Sequence, residues 1–180
     1  RQIALAGNVE LRVMLEARGL YILGDESRLR YAIGNTIDNA IKYSKSDSKL
    51  SIEVRGENEG MAQLRIRDNG VGIDDEELIH IFTRFYRGKP LLPDGEVIHV
   101  PGMGQGLTDA RHIIQAHGGK IRVKSKRQIG TAVYIALPTT ASQAYQLPLI
   151  EDDSVMEGET MLIPDNVTIE DFWGGQDELE

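Results

Sequence analysis

Two pairs of alternating apolar segments, each closed by a short polar turn, set the strongest limit on what this chain can fold into. LSIEVRGE at 50 to 57 and MAQLRIRD at 61 to 68 carry an apolar side chain at nearly every second position, with Gly60 in the turn between them. A period of two puts those side chains on one face of a strand, so the pair reads as a β-hairpin. KIRVKSK at 120 to 126 and GTAVYIALP at 130 to 138 form a second strand pair, closed by Pro138. Elsewhere the period is helical. Over 28 to 44, Leu29, Ile33, Ile37, Ala40 and Ile41 fall on one side at about 100° per residue, and Asp25 stands where an N-cap belongs. A short helix is expected from about Asp74, and LTDARHIIQAH predicts another that stops at Gly118 and Gly119. LYILG at 20 to 24 reads as a short strand running into a turn. Residues 87 to 105 hold four glycines and three prolines, which predicts a long loop. This order of elements implies an α+β fold, a two-layer sandwich of a mixed sheet with helices on one face.

Composition bounds the function. With 180 residues, 41% of them hydrophobic, the chain supports one compact domain. The absence of cysteine excludes disulfides, thiol catalysis and thiolate metal sites. No apolar run approaches the roughly 20 residues of a membrane helix, and the start lacks a signal-peptide pattern, so no membrane contact is expected and a cytoplasmic setting is. The formal charge of −8 is uneven: residues 1 to 138 hold all 20 basic and 17 acidic side chains, whereas 139 to 180 hold 11 acidic and no basic ones. The expected division is a nearly neutral domain at 1 to 138 and a poorly structured acidic tail at 139 to 180, with no nucleic-acid partner.

Three elements carry candidate chemistry. Opposite the apolar side of the first helix lie Arg28, Asn35, Asn39 and Lys42. Asparagine competes for backbone hydrogen bonds, so two at i and i+4 in mid-helix call for a reason beyond solvation. An amide oxygen on Mg²⁺ and an ammonium on phosphate would provide one. DNGVGI at 68 to 73 ends a strand with an acceptor-only carboxylate followed by glycines that admit a ligand to the backbone. GMGQGL at 102 to 107 opens a helix with alternate glycines, where free N–H groups favour anions. Taken singly, these also fit a solvated face, a tight turn and a flexible hinge. No Walker A sequence is present.

In order along the chain, NTIDNAIKYS (35 to 44), DNGVGI, IFTRFYRG (81 to 88), GMGQGL and AHGGKI (116 to 121) closely resemble the N, G1, F and G2 boxes of the ATP-binding domain of sensor histidine kinases, over about residues 20 to 138. The resemblance implies the Bergerat sandwich of the GHKL superfamily with a long ATP lid, and ATP with Mg²⁺ as ligands. By it, Asn39 is the Mg²⁺ ligand, Asn35 its partner beside the phosphates, and Lys42 a neutraliser of phosphate charge. Tyr43 borders the ribose or base. Asp68 reads the adenine, with Thr131 assisting through water, and Gly70, Gly72 and Ile73 line the base pocket. Phe82 and Phe85 anchor the lid, Arg84 and Arg87 reach the phosphates, and Gly102, Gly104, Gly106 and Leu107 close over them. Asn35, Lys42, Arg84 and Arg87 are thus the expected catalytic residues.

The resemblance also implies limits. Gyrase-type relatives carry a glutamate at the position of Asn35 that activates water. An amide cannot take that proton, which favours phosphoryl transfer over hydrolysis. Gln105 and Asp109 stand where relatives often have aliphatic residues. None of His80, His99, His112 and His117 lies in a phosphoacceptor box, so the acceptor histidine is expected on a separate helical dimerisation domain, normally upstream, with a response regulator further along the pathway and any membrane anchor also outside this chain. Residues 1 to 19 match the family poorly, which suggests a truncated leading edge. The alternatives are a nucleotide-binding regulatory module without transfer, as in a degenerate kinase, and a GHKL serine kinase. Phe172 and Trp173 in the tail form a candidate docking patch, and the tail is expected to stay out of the ATP pocket.

Overall fold

The computed structural model describes residues 9–16, 19–45, 47–57, 60–92, 95, 97, 100–140 and 160–162. Six strands, β1 (Glu10–Leu15), β2 (Lys49–Glu57), β3 (Met61–Asp68), β4 (Lys120–Lys126), β5 (Gly130–Pro138) and β6 (Thr160–Leu162), form one sheet in the order β1-β2-β3-β5-β4-β6. The two hairpins read from the alternating segments are β2–β3 and β4–β5. They meet through the antiparallel β3–β5 pair, while β1 and β6 add parallel edges. Three helices, α1 (Glu26–Lys42), α2 (Asp75–Leu78) and α3 (Gly106–Ala116), complete the described elements. Ala32 and Ala40 of α1 and Ala110 and Ile114 of α3 share one core with Leu50, Ile66, Ile121, Val123 and Ile135 of the sheet. The expected α+β sandwich is therefore present.

Three local readings need correction. Residues 20 to 24 are not a strand: they join no described strand ladder, the Tyr21 carbonyl accepts a backbone bond from the Thr140 N–H at 2.8 Å, and the chain runs directly to the α1 cap. The edge strand lies earlier, at β1, in the segment with the weakest family likeness, and α1 carries the chain across from β1 to the parallel β2. The tail supplies the short strand β6 through backbone pairing with β4, a contribution its composition does not signal. The rest of the tail beyond Thr140, including Phe172 and Trp173, lies outside the described residues, as does His99.

Packing, more than propensity, holds α1. Gly34, Asn35 and Asn39 together cost about 2 kcal/mol against alanine, whereas full burial of a single isoleucine-sized side chain contributes roughly 1.5–3 kcal/mol. Leu29, Ile33, Ile37 and Ile41 all pack against the core. At its start, the Asp25 carboxylate accepts from the Arg28 N–H at 3.0 Å, as the sequence predicts. The Asp25 N–H in turn donates to His117 Nε2 at 3.0 Å, and His117 Nδ1 lies 2.6 Å from the Ile113 carbonyl. His117 thus joins the end of α3 to the start of α1, with its proton on Nδ1. Asp25→Ala is expected to lower stability by about 1 kcal/mol, measured as a shift in the urea midpoint.

Candidate nucleotide site

A cavity of about 360 Å³ opens between α1, the C-terminal end of β3, the loop from Tyr86 to Gln105 and the first turn of α3. Asp68 on β3 and Thr131 on β5 line its floor, and they belong to a row of three polar residues on the helix-facing side of the sheet: Asp68 lies opposite Thr131, which lies opposite the buried Ser125 on β4. Asp68 is buried. The N–H groups of Gly70 and Thr131 both donate to its Oδ1, at 2.8 and 3.3 Å. Oδ2 receives no bond among the described residues. Burial pushes the Asp68 carboxyl up to about 7, opposed by those two backbone donors and by the ammonium of Lys45. Thr131 thus reaches Asp68 through a direct backbone contact. The Thr131 hydroxyl pairs with Ser125 Oγ at 2.9 Å, and the same Ser125 oxygen accepts from the Ile73 N–H at 2.9 Å.

Glycines fix the turn above this floor. A Cβ on Gly72 would stand 2.0 Å from the Lys126 carbonyl oxygen, and its φ of +66° already disfavours a side chain. Gly70 serves differently from the expectation: a Cβ there would lie 2.3 Å from the Tyr43 carbonyl oxygen, and Gly70 does not line the cavity. It lets the turn close onto the end of α1, where the Val71 N–H donates to that same carbonyl at 3.1 Å.

The polar side of α1 forms one wall. Asn35, Asn39, Lys42 and Tyr43 all line the cavity. Asn35 Nδ2 donates to the Gly106 carbonyl at 3.4 Å, tying this wall to the first residue of α3. Lys42 is held by Asp38 at 2.5 Å, one turn back. Burial raises the Tyr43 hydroxyl above its ordinary pKa, partly countered by the charges of Arg87 and Lys42. The opposite wall contains Gly102, Gly104, Gly106 and Leu107. Gly104, at φ +70°, accepts from the Phe85 N–H at 3.0 Å. No side chain caps α3, whose free N–H groups and dipole favour an anion at this end.

The F-box residues divide. Arg87 lines the cavity but donates to the carbonyls of Gly102, at 2.8 Å, and Val100, so it fastens the lid's return. Phe82 is buried, with its carbonyl accepting from the Thr108 hydroxyl and the Arg111 guanidinium over its ring. Phe85 is exposed at φ +63°, and neither it nor Arg84 lines the cavity. In this lid position, both expectations are corrected. A turn of left-handed backbone at Phe85 carries its ring outward, and Arg84 is solvent-exposed.

Sequence reasoning missed Lys45, Ser125 and Gly130. Lys45 Nζ donates to the Gln128 carbonyl at 2.8 Å and adds positive charge near Asp68. A Cβ on Gly130 would lie 2.1 Å from the Asp68 carbonyl oxygen. Ser125 had a readable signal, because it interrupts the inward apolar series Ile121, Val123. Lys45→Met removes a charge that lowers the Asp68 carboxyl, so fewer molecules carry the carboxylate at neutral pH. Nucleotide affinity at pH 7 is expected to fall about threefold and to match the parent at pH 9, as measured by calorimetry. An equal loss at both pH values would contradict this coupling.

Known proteins share this architecture. Residues 24–141 match the family model described as "Histidine kinase-, DNA gyrase B-, and HSP90-like ATPase". The chain is 40% identical over 132 residues to the sensor protein RprX of Bacteroides fragilis, covering 73% of this chain and 25% of RprX. It is 35% identical over 147 residues to the sensor protein kinase PmrB of Pseudomonas aeruginosa, covering 81% and 29%. This chain therefore spans about a quarter of the length of these curated relatives. Among solved structures, the mycobacterial sensor histidine kinase MprB aligns with a TM-score of 0.64 at 31% identity, over 73% of this chain and 84% of MprB. The catalytic domain of histidine kinase ThkA, at 22% identity and a TM-score of 0.59 over 72% and 80%, supports the fold alone. By its sequence match and its sheet, this chain belongs to the family of histidine kinase-, DNA gyrase B- and HSP90-like ATPases.

Proposed function

We propose that this chain is the catalytic half of a sensor histidine kinase, which binds ATP with Mg²⁺ and delivers the γ-phosphoryl to a histidine on a separate helical dimerisation domain. One observation carries the reading: a buried carboxylate with a spare oxygen lines the same cavity as the uncapped start of α3 and the Asn35–Asn39 wall. The first suits an amine-bearing base and the second a polyphosphate. Asp68 reads the adenine, Asn35, Lys42 and the α3 start hold the phosphates, and Arg87 couples them to the lid.

The donor set fits Mg²⁺ better than a softer metal. Among the described residues no group of three or more His, Cys, Asp or Glu could enclose an ion. Asn39 offers an amide oxygen in a cavity with room for phosphates, and Mg²⁺ favours few protein ligands with phosphate and water completing its shell. When bound, the ion neutralises phosphate charge during transfer. Asn35 has no proton-accepting side chain, so transfer to a protein acceptor is favoured over hydrolysis. The partners in this reading are the helical phosphoacceptor domain and, downstream, a response regulator. The cytoplasm is the compartment that supplies ATP, and no described helix is long and apolar enough to cross a membrane.

A nucleotide-binding regulatory module is the second reading, favoured by the engagement of Lys42 with Asp38, the use of Arg87 on lid carbonyls and the position of Arg84 outside the cavity. Incubation with ATP·Mg²⁺ and a purified dimerisation domain separates the two. Acid-labile phosphohistidine on that domain is expected. Tight ATP binding without it supports the regulatory module, and phosphoserine supports a serine kinase.

A further inference from the structure

The turn between β4 and β5 contains a residue in a conformation that its own type does not favour. Gln128 sits at φ +65°. Left-handed backbone crowds a Cβ, and glutamine lacks the short polar side chain with which asparagine or aspartate eases it. Such a cost persists where surrounding contacts hold it in place. The Gln128 N–H donates to the Val71 carbonyl at 2.6 Å, and its own carbonyl accepts from Lys45 Nζ at 2.8 Å. Both bonds use only the backbone of this residue, so a glycine would make them equally well. The third contact belongs to the side chain: Nε2 donates to the Leu91 carbonyl at 2.7 Å, across 37 residues of chain. A carbonyl only accepts, so the amide is held with Nε2 toward Leu91. Its Oε1 is left buried with no hydrogen bond among the described residues. Glutamine is thus unfavourable twice over for the turn itself, and the bond to Leu91 is what it adds.

Leu91 lies in the first arm of the loop that covers the cavity. Gly88 and Pro90, just before it, line the cavity, and Leu91 pairs with Val97 in a single antiparallel bridge. The return arm is tied at Val100 and Gly102 by Arg87. Beside Leu91, Glu77 of α2 accepts from the Lys89 N–H at 2.9 Å. In the other direction the turn leads from Gln128 to Thr131, whose N–H donates to Asp68. Gln128 itself does not line the cavity. It acts on the cavity only through what it holds.

We propose that Gln128 is a positioning residue of the nucleotide site: its amide clasps the first arm of the lid to the turn that carries Thr131, and so sets Gly88 and Pro90 relative to the Asp68 floor. This role rests on the ATP reading of the cavity, whereas the clasp is measurable without nucleotide. Gln128→Met keeps the side-chain length and removes the donor, and Gln128→Gly keeps both backbone bonds and removes the side chain. In the full chain without nucleotide, amide hydrogen exchange over residues 88–92 is expected to rise about fivefold in both variants, with exchange over β3 and β5 unchanged. ATP is expected to bind both about fivefold more weakly, while adenosine, which has no phosphates for the lid to cover, binds as it does to the parent. Unchanged lid exchange in a folded variant, or equal losses for ATP and adenosine, overturns the proposal. A parent that binds no ATP overturns the nucleotide reading and the positioning role with it, whatever the exchange shows. If Gln128→Met does not fold, Gln128→Gly, which relieves the left-handed backbone, decides.

Discussion

Asp68→Asn is expected to abolish measurable ATP binding, with at least about a hundredfold loss of affinity, while making the protein more stable at pH 8. The two effects share one cause. Asp68 is buried, and its carboxyl sits at about 7 instead of 3.8 because burial disfavours the charged form. A raised folded-state value means that the folded protein holds this proton more tightly than the unfolded chain. Its contribution to stability is therefore full below about pH 4 and is lost as pH rises through 7, an upper limit of about 4 kcal/mol. Asparagine keeps an acceptor for the Gly70 and Thr131 N–H groups but carries no charge. Its melting temperature at pH 8 should exceed the parent's by about 5 °C or more, and the difference should shrink toward pH 4. The parent's ATP affinity should decline below pH 7 as the carboxylate is protonated. Undiminished nucleotide binding by Asp68→Asn would remove the residue from the base-reading role, and a lower melting temperature at pH 8 would remove the buried-charge argument.

The second large effect concerns a backbone approach. Gly72→Ala would place a methyl group 2.0 Å from the Lys126 carbonyl oxygen while holding φ near +66°. Left-handed backbone alone costs an alanine about 1–2 kcal/mol, and the displaced carbonyl belongs to the turn that positions Gly130 and Thr131. A loss of roughly 3 kcal/mol or more is expected in urea unfolding, together with weakened nucleotide binding. Gly34→Ala is the matched control. It lies inside α1 with open space around it, and alanine there should add up to about 1 kcal/mol. A Gly72→Ala protein within about 1 kcal/mol of the parent would show that the turn relaxes freely.

These two glycines illustrate what a sequence carries and what it does not. The hairpins, the N-cap at Asp25 and the stop after α3 follow from periods and caps of a few residues, and they were legible because local rules determine them. The cavity's main surfaces were also legible, since Asn35, Asn39, Asp68, Gly72 and Thr131 stand in a recognisable order. Gly70 was assigned to the wrong partner because only the folded chain brings the Tyr43 carbonyl against it. Lys45 could not be found for the same reason: its neighbours Asp68 and Gln128 are distant in sequence. Phe85 and Arg84 failed differently, because their placement depends on one left-handed residue within a loop, where aromatic or basic character does not dictate direction. β1 was hidden by its exposed Leu11, Val13 and Leu15, whose likeness to relatives is weak, and only parallel pairing with β2 defines it.

The row Asp68–Thr131–Ser125 also divides the site into two parts that tolerate change differently. Its geometry is counted in residues: adding one residue to the β4–β5 turn would send Thr131 to the other face of the sheet and separate it from Asp68. The lid is held at its ends by Arg87 and Gly104, and along its length the Lys89 N–H donates to Glu77 and the Leu91 carbonyl accepts from the Gln128 amide, but none of these contacts fixes a strand register. Insertions and deletions should therefore accumulate between Gly88 and Val100 in functional descendants of this chain and be purged between Lys126 and Thr131. The sheet row is thus inherited as a fixed length, while the lid is free to diverge.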